Sequence, residues 1–173
     1  MLLGNYFQNI SRKYKKIFFS GISFNSKQIK KNYIFFAIKG NQIDGNNFIS
    51  IAIKKGSKII VTERKQDEFQ NGILFIHTKN IRKLLAEVSF KIFDKKPNNL
   101  IAVTGTNGKS SIADFYYQIL KLNNIRAASI GTLGVKCNTF NLNLSNTTID
   151  PIQLGKILKK LKSNRINNVI MEA

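Results

Sequence analysis

The 173-residue chain carries 28 Lys and Arg against 9 Asp and Glu, a formal net charge of +19, with 43% hydrophobic and 10% aromatic residues. That apolar content is enough for one domain or two small ones and excludes a disordered chain. The single cysteine, Cys137, excludes an internal disulfide framework, no apolar run approaches membrane-spanning length, and the N-terminus lacks the basic region and apolar core of a secretion signal, so a reducing, cytoplasmic setting is expected.

So high a charge raises the question of nucleic-acid binding. The lysines, however, lie in every segment (Lys13, Lys15, Lys16, Lys54, Lys55, Lys95, Lys96, Lys159, Lys160) among abundant asparagine and isoleucine. A solvated surface is expected, with attraction to polyanions as a side effect.

Residues 1 to about 16 read as a loose, basic lead-in with a short helix. Ile17–Ile22 and Tyr33–Ile38 read as strands with a polar loop between them. Lys39-Gly40-Asn41-Gln42-Ile43-Asp44-Gly45 is a turn by composition, since Gly, Asn and Asp tolerate positive φ. A helix follows from about Asn46 to Lys55, burying Phe48, Ile51 and Ala52 and ended by Gly56. Ser57–Thr62 and Ile73–His77 are strands with a polar loop between them. His77 has no second histidine to share a metal with. Ile81, Leu84, Leu85, Val88 and Ile92 mark a helix. Alternation of strands and helices makes this a small α/β domain, and Lys95–Asn99, which contains Pro97, reads as the linker.

Leu100-Ile101-Ala102-Val103 is a short apolar strand of the kind covered on both faces. Thr104-Gly105-Thr106-Asn107-Gly108-Lys109-Ser110-Ser111 follows, and Ile112, Phe115, Tyr116, Ile119 and Leu120 recur at helical spacing, which predicts a helix starting near Gly108. Glycines let the backbone approach a ligand, the free N–H groups of a helix start face an anion, Lys109 adds charge for outer phosphates, and the Ser110 hydroxyl is placed to reach Mg²⁺. An ordinary strand-to-helix turn with a solvated Lys109 is the plainer alternative. Arg126–Gly131 reads as a second parallel strand, and Thr132–Asn146 as a hairpin projecting from the sheet. Asp150-Pro151 opens a helix with Leu154, Ile157, Leu158 and Leu161 on one face. Asn168–Ala173 reads as an apolar strand ending in a carboxylate, where α/β sheets bind ligands, so Glu172 is either a metal ligand or only a charged residue near the end.

Gly105-Thr106-Asn107-Gly108-Lys109-Ser110 resembles the phosphate loop of the Mur ligases and the folylpolyglutamate synthetases. The longer common loop wants a glycine where Val103 stands. Phe24-Asn25-Ser26-Lys27, Ile34–Gly40 and Asp44-Gly45 are similar to the Mur N-terminal pattern. Ser129–Thr132, Asn146-Thr147-Thr148, Asp150-Pro151 and Val169–Ala173 resemble segments of the family branch that extends UDP-N-acetylmuramoyl-L-alanyl-D-glutamate by a diamino acid.

The resemblance implies an α/β fold with a UDP-muramyl-substrate domain at 1–95 and, at 98–173, the first part of a parallel-sheet ATP domain, the amino-acid domain being absent. It implies ATP and Mg²⁺ as cofactors and a cytoplasmic, monomeric ligase of peptidoglycan synthesis, with no specific nucleic-acid or membrane partner. Phe24, Ser26, Asn41, Gln42, Ile43, Asn146, Thr147 and Thr148 would hold the UDP-muramyl peptide. Gly105, Thr106, Asn107, Gly108, Lys109, Ser110 and Ser111 would hold ATP, with Lys109 catalytic and Ser110 and Glu172 on the metal. Asn25, Lys27 and Asn41 depart from the family's Asp, Arg and His. Such a chain looks like the first third of the enzyme, expected to hold substrate without ligating. A non-catalytic UDP-muramyl-peptide-binding remnant and a basic nucleic-acid-binding protein with a phosphate loop stand as alternatives.

Overall fold

Alternating apolar strands and amphipathic helices build one sheet in each half of the chain. The structure, a computed structural model, describes residues 1–65, 68–143 and 149–173 and divides into two units, Met1–Ile92 and Phe93–Ala173.

The first unit contains β1 (Gly21–Ser23), β2 (Tyr33–Phe36), α1 (Ile49–Lys54), β3 (Ile59–Thr62), β4 (Phe69–Gln70), β5 (Ile73–His77) and α2 (Ile81–Ile92). The sheet runs β1-β2-β3-β5-β4, parallel except for β4, which is antiparallel to β5. Ile34, Phe35, Phe36, Ile60 and Val61 are fully buried, as expected of parallel strands covered on both faces. Phe35, Ile60 and Ile73 pack with Ala52, Ile49 and Ile53 on one side. Alternation turns Phe36 the other way, where Phe7 stacks on it with ring centroids 6.5 Å apart.

Three sequence expectations change here. Residues 1–16 are a packed cover rather than a loose lead-in: two short 3₁₀ turns, Leu3–Asn5 and Arg12–Tyr14, bury Leu3, Phe7, Ile10 and Tyr14. The helix after the turn is shorter than expected because Gly45–Phe48 is 3₁₀, and this turns Ile51 out to solvent while Ala52 stays buried. The polar loop before β5 contains β4, closed by Asn71 (φ 50°) and Gly72 (φ 77°), the left-handed pair that suits a two-residue hairpin.

The second unit contains β6 (Asn99–Val103), α3 (Lys109–Leu122), β7 (Ala127–Gly131), β8 (Gly134–Cys137), β9 (Asn141–Leu142), α4 (Pro151–Ser163) and β10 (Asn168–Glu172), with strand order β6-β10-β7-β8-β9. The first three neighbours are parallel and the last two antiparallel, so this sheet is mixed. The expected projecting hairpin instead extends the sheet, because Val135 and Cys137 are buried with Ala128, Ile130 and Val169 under Ile157, Leu158 and Leu161 of α4. Asp150 caps α4 by accepting from the Ile152 and Gln153 amides, both at 2.9 Å. Cys137 is buried and unbridged, its thiol donating to the Phe140 carbonyl at 2.9 Å.

Leu161 is fully buried at the centre of this core. Leu161→Ala is expected to destabilise the second unit by about 2–5 kcal/mol, read as a lowered urea midpoint with an unchanged slope for that unit's transition.

Candidate functional site

The β6 strand ends at Val103 and the chain turns through Gly105 (φ 150°) and Gly108 (φ 78°) before α3 begins at Lys109. Both values are left-handed or mirror-β conformations that side chains resist, and a Cβ on Gly108 would meet nothing within 4 Å. That glycine therefore serves backbone shape, not crowding. The first α3 bond runs from the Ile112 amide to the Gly108 carbonyl at 3.0 Å, so the Lys109, Ser110 and Ser111 amides are the first-turn donors without an intrahelical acceptor. They open toward the helix's positive end, a setting that favours an anion. Gly105, Thr106, Asn107 and Ser111 are exposed and Lys109 and Ser110 half-buried. The Lys109 ammonium donates to the Gly105 carbonyl, which folds it over the turn.

Beside this mouth stands the end of β10. Glu172 pairs in register with Val103, and the next amide, Ala173, donates to the Val103 carbonyl at 2.9 Å. The Ser110 hydroxyl donates to the Glu172 carboxylate at 3.0 Å and lies 3.4 Å from the Thr132 hydroxyl. A Cβ on Gly131 would fall 1.9 Å from Glu172 Oε1, so the end of β7 is hollowed to admit this carboxylate. Sequence reading assigned Ser110 and Glu172 to this spot but gave Gly131 and Thr132 no role; a glycine at the end of a buried strand was the available signal. One turn along α3, Asp114 accepts from Lys136 at 3.1 Å. That hydrogen bond, joined by one from Gln118, holds the Asp114 carboxyl below its usual range and ties α3 to β8. Burial pushes the neighbouring Tyr117 phenol up.

In the first unit, the expected substrate residues stand on loops that leave adjacent parallel strands at their carboxyl ends. Phe24, partly exposed, and Ser26, buried, follow β1, where Asn25 accepts from the Lys27 amide at 2.9 Å. Asn41, Gln42 and Ile43 follow β2 and are all exposed in a turn closed by the Gly40 amide on the Ile43 carbonyl at 2.9 Å. This turn is braced by residues that sequence reading missed. Asp44 pairs with Arg64 at 2.7 Å and accepts from the Asn46 amide at 2.8 Å, while Thr62 donates to Asn46 at 2.8 Å. On the other side, Arg82 donates to the Lys39 carbonyl at 3.2 Å. The Asn46 backbone hydrogen bond, with its side chain and Arg64 adding to it, holds the Asp44 carboxyl below its usual range. The remaining expected substrate residues, Asn146, Thr147 and Thr148, lie outside the described residues.

A cavity of about 330 Å³ at the end of β5, lined by residues including Tyr6, His77, Asn80, Lys83 and Glu87, contains none of the expected substrate residues. His77 is exposed at the end of an interior strand, paired with Thr62. Among the described residues no group of three His, Cys, Asp or Glu side chains could hold a metal, and no helix is long and apolar enough to cross a membrane.

The glycine turn between β6 and α3, the acid at the end of β10 and the mixed sheet around them define an α/β protein with a strand–glycine turn–helix unit. The sequence matches the Mur ligase family, catalytic domain, over residues 19–98 and the Mur ligase middle domain over residues 103–173; the chain belongs to the Mur ligase family. It is 38% identical over 169 residues to the UDP-N-acetylmuramoyl-L-alanyl-D-glutamate--2,6-diaminopimelate ligase of Rickettsia conorii, covering 95% of this chain and 35% of that protein. The chain thus spans about a third of the length of the curated relatives it matches. A solved ligase of the same description superposes with a TM-score of 0.81 at 23% identity, over 100% of this chain and 36% of that one. The MurF ligase of Thermotoga maritima, solved with ADP, gives a TM-score of 0.58 at 23% identity over 87% of this chain and 31% of that one.

The depressed Asp44 carboxyl has a signed consequence. A folded-state pKa below the unfolded value stabilises the turn above the unfolded value, and that contribution is lost as pH falls through the depressed one. Hydrogen exchange of the Gly40 and Gly45 amides, corrected for intrinsic rates, should therefore accelerate on acidification below about pH 4. In Asp44→Ala it should already be fast at neutral pH.

Proposed function

We propose that this chain supplies the UDP-muramyl-peptide and ATP-phosphate sites of a cytoplasmic, ATP-dependent amide ligase of peptidoglycan synthesis. That ligase joins a diamino acid, meso-diaminopimelate first among the candidates, to UDP-N-acetylmuramoyl-L-alanyl-D-glutamate. The observation that carries the reading is the meeting of Ser110, Glu172 and Thr132 at the mouth of the Gly-Thr-Asn-Gly-Lys-Ser loop. Two hydroxyls and a carboxylate form a hard-oxygen donor set of the kind Mg²⁺ takes together with phosphate oxygens and water. Ser110 and Glu172 would hold the ion, which when bound offsets charge on the phosphates.

The residues then divide the work. The first-turn amides of α3 and the Lys109 ammonium bind the β- and γ-phosphates and stabilise charge as the γ-phosphoryl group moves. A carboxylate oxygen of the substrate's D-glutamate bonds to the γ-phosphorus while the bond to the β-phosphate oxygen breaks, giving an acyl phosphate and ADP. An amine then attacks the acyl carbon, phosphate leaves, and the amine gives up a proton. Both steps gain chiefly from positioning, and Gln42 and Ile43, with Phe24 and Ser26 on the loop after the neighbouring strand β1, would anchor the uridine end.

Titration calorimetry tests this reading. The chain is expected to bind ATP more tightly with Mg²⁺ than with EDTA, and to bind UDP-N-acetylmuramoyl-L-alanyl-D-glutamate more tightly than UDP. Lys109→Ala should weaken ATP binding by about tenfold or more, the scale of one charge-assisted contact. Gly131→Ala, which pushes the Glu172 carboxylate aside, should abolish the Mg²⁺ advantage while leaving binding in EDTA unchanged. No response to either nucleotide overturns the reading.

A further inference from the structure

The first unit carries charge at both ends of its sheet, but of different kinds. At the carboxyl ends of the strands acids and bases are mixed: Asp44 follows β2 and Glu63 follows β3, beside Arg64 and Arg82. The amino ends are approached by residues 15–20 before β1, 29–32 before β2 and 54–58 before β3. These segments hold Lys15, Lys16, Lys30, Lys31, Lys54, Lys55 and Lys58 with no acid among them, and all of these lysines are exposed.

Hydrogen bonds draw the three segments into one face. The Ser20 amide donates to the Asn32 carbonyl and its hydroxyl to the Lys31 carbonyl, both at 2.9 Å. The Asn32 amide in turn donates to the Gly56 carbonyl at 2.9 Å, and a Cβ on Gly56 would fall 3.1 Å from the Lys31 Cα. Lysines that are scattered along the sequence are therefore neighbours here, and like charges so gathered repel unless an anion answers them.

An apolar pair borders the lysines. Leu2 and Phe18 stand opposite each other in an antiparallel bridge, which turns their side chains to the same side. They are 46% and 57% exposed, whereas their chain neighbours Leu3 and Phe19 are fully buried. Lys16 and Ser20 are exposed on either side of Phe18, so the pair lies next to Lys16 and, through Ser20, next to Lys31.

We propose that this face binds the surface of an anionic lipid bilayer, the lysines reaching headgroup phosphates while Leu2 and Phe18 enter the acyl boundary. The cations are all lysines, point charges on flexible stems that suit scattered phosphates, and the forked arginine geometry that reads one particular partner is absent from these segments. A basic patch and a small apolar insertion are each weak; together they supply the two signals that peripheral anchoring needs. The aliphatic Leu2 gains nothing from a nucleic-acid backbone, which is why a bilayer is the favoured polyanion. Neither nucleotide nor muramyl substrate enters the argument, so its failure is separate from failure of the ligase reading.

Vesicle sedimentation of the 173-residue chain tests the proposal. Binding to mixed phosphatidylglycerol and phosphatidylcholine vesicles is expected to exceed binding to phosphatidylcholine alone by about tenfold or more at low salt, and to weaken as salt rises. Lys30→Glu, Lys31→Glu and Lys55→Glu together should remove that excess. Lys39→Glu, Lys79→Glu and Lys83→Glu, an equal change of charge at the other end of the sheet, should leave most of it. The chain contains no tryptophan, so Phe18→Trp introduces a single reporter whose emission should shift to the blue with the anionic vesicles and not with phosphatidylcholine alone. An unshifted emission, equal loss from the two triple variants, or tighter binding to duplex DNA than to the anionic vesicles overturns the proposal.

Discussion

The second unit depends on where one carboxylate sits. Glu172 ends β10 between β6 and β7, two parallel strands that would otherwise close over that position with side chains. Gly131 removes the obstruction on the β7 side: its missing Cβ is the space Glu172 occupies. With the carboxylate admitted, the Ser110 hydroxyl has an acceptor and the first turn of α3 is tied to the sheet edge. Loop, helix start and acid are thereby fixed relative to one another by strand register, not by loop conformation. This is the rigidity that a phosphate and cation site requires.

The first unit achieves comparable definition by other means. Three of its expected substrate residues, Asn41, Gln42 and Ile43, stand on an exposed turn, and exposed turns are mobile unless their backbone is bound from outside. Here the turn is held at both ends by charged groups from other elements. Arg82 of α2 binds the carbonyl of Lys39, and Asp44 is gripped by Asn46 and by Arg64 after β3. A surface ion pair by itself adds little stability. Its value at this place is orientation, since it fixes where Gln42 and Ile43 are presented.

Much of this was legible in the chain. The strand–glycine–helix pattern located the loop, Pro151 after Asp150 located α4, and Glu172 was legible as an acid at the end of a parallel strand, because each signal is local and has one structural meaning. What escaped was non-local. Gly131 matters only because Glu172, 41 positions later, lies against it, and Arg64 and Arg82 look like any surface cation until the fold brings them to Lys39 and Asp44. The N-terminal segment misled for a different reason. Its apolar residues Leu3, Phe7, Ile10 and Tyr14 recur at helical spacing, but polar and basic residues surround them, and they are buried around two short 3₁₀ turns and not along one α-helix. In α3 the apolar spacing announced a helix correctly but not which face was inward. The inward positions are Ala113 and Tyr117, while Phe115 and Leu122 face solvent.

That last reversal separates the two units physically. In the first, β3 and most of β2 are buried and the sheet edges are a three-residue β1 and a two-residue β4, so little pairing capacity is left over. In the second, among the described residues, the strand leading into the Gly105–Lys109 loop is itself an edge, with Leu100 and Ile101 exposed. A loop anchored on an uncovered strand inherits the strand's fraying, because local opening costs little where few apolar contacts are broken. Pairing the free edge of β6 would therefore steady the Gly105–Lys109 loop without touching it, by making the strand that presents it an interior one.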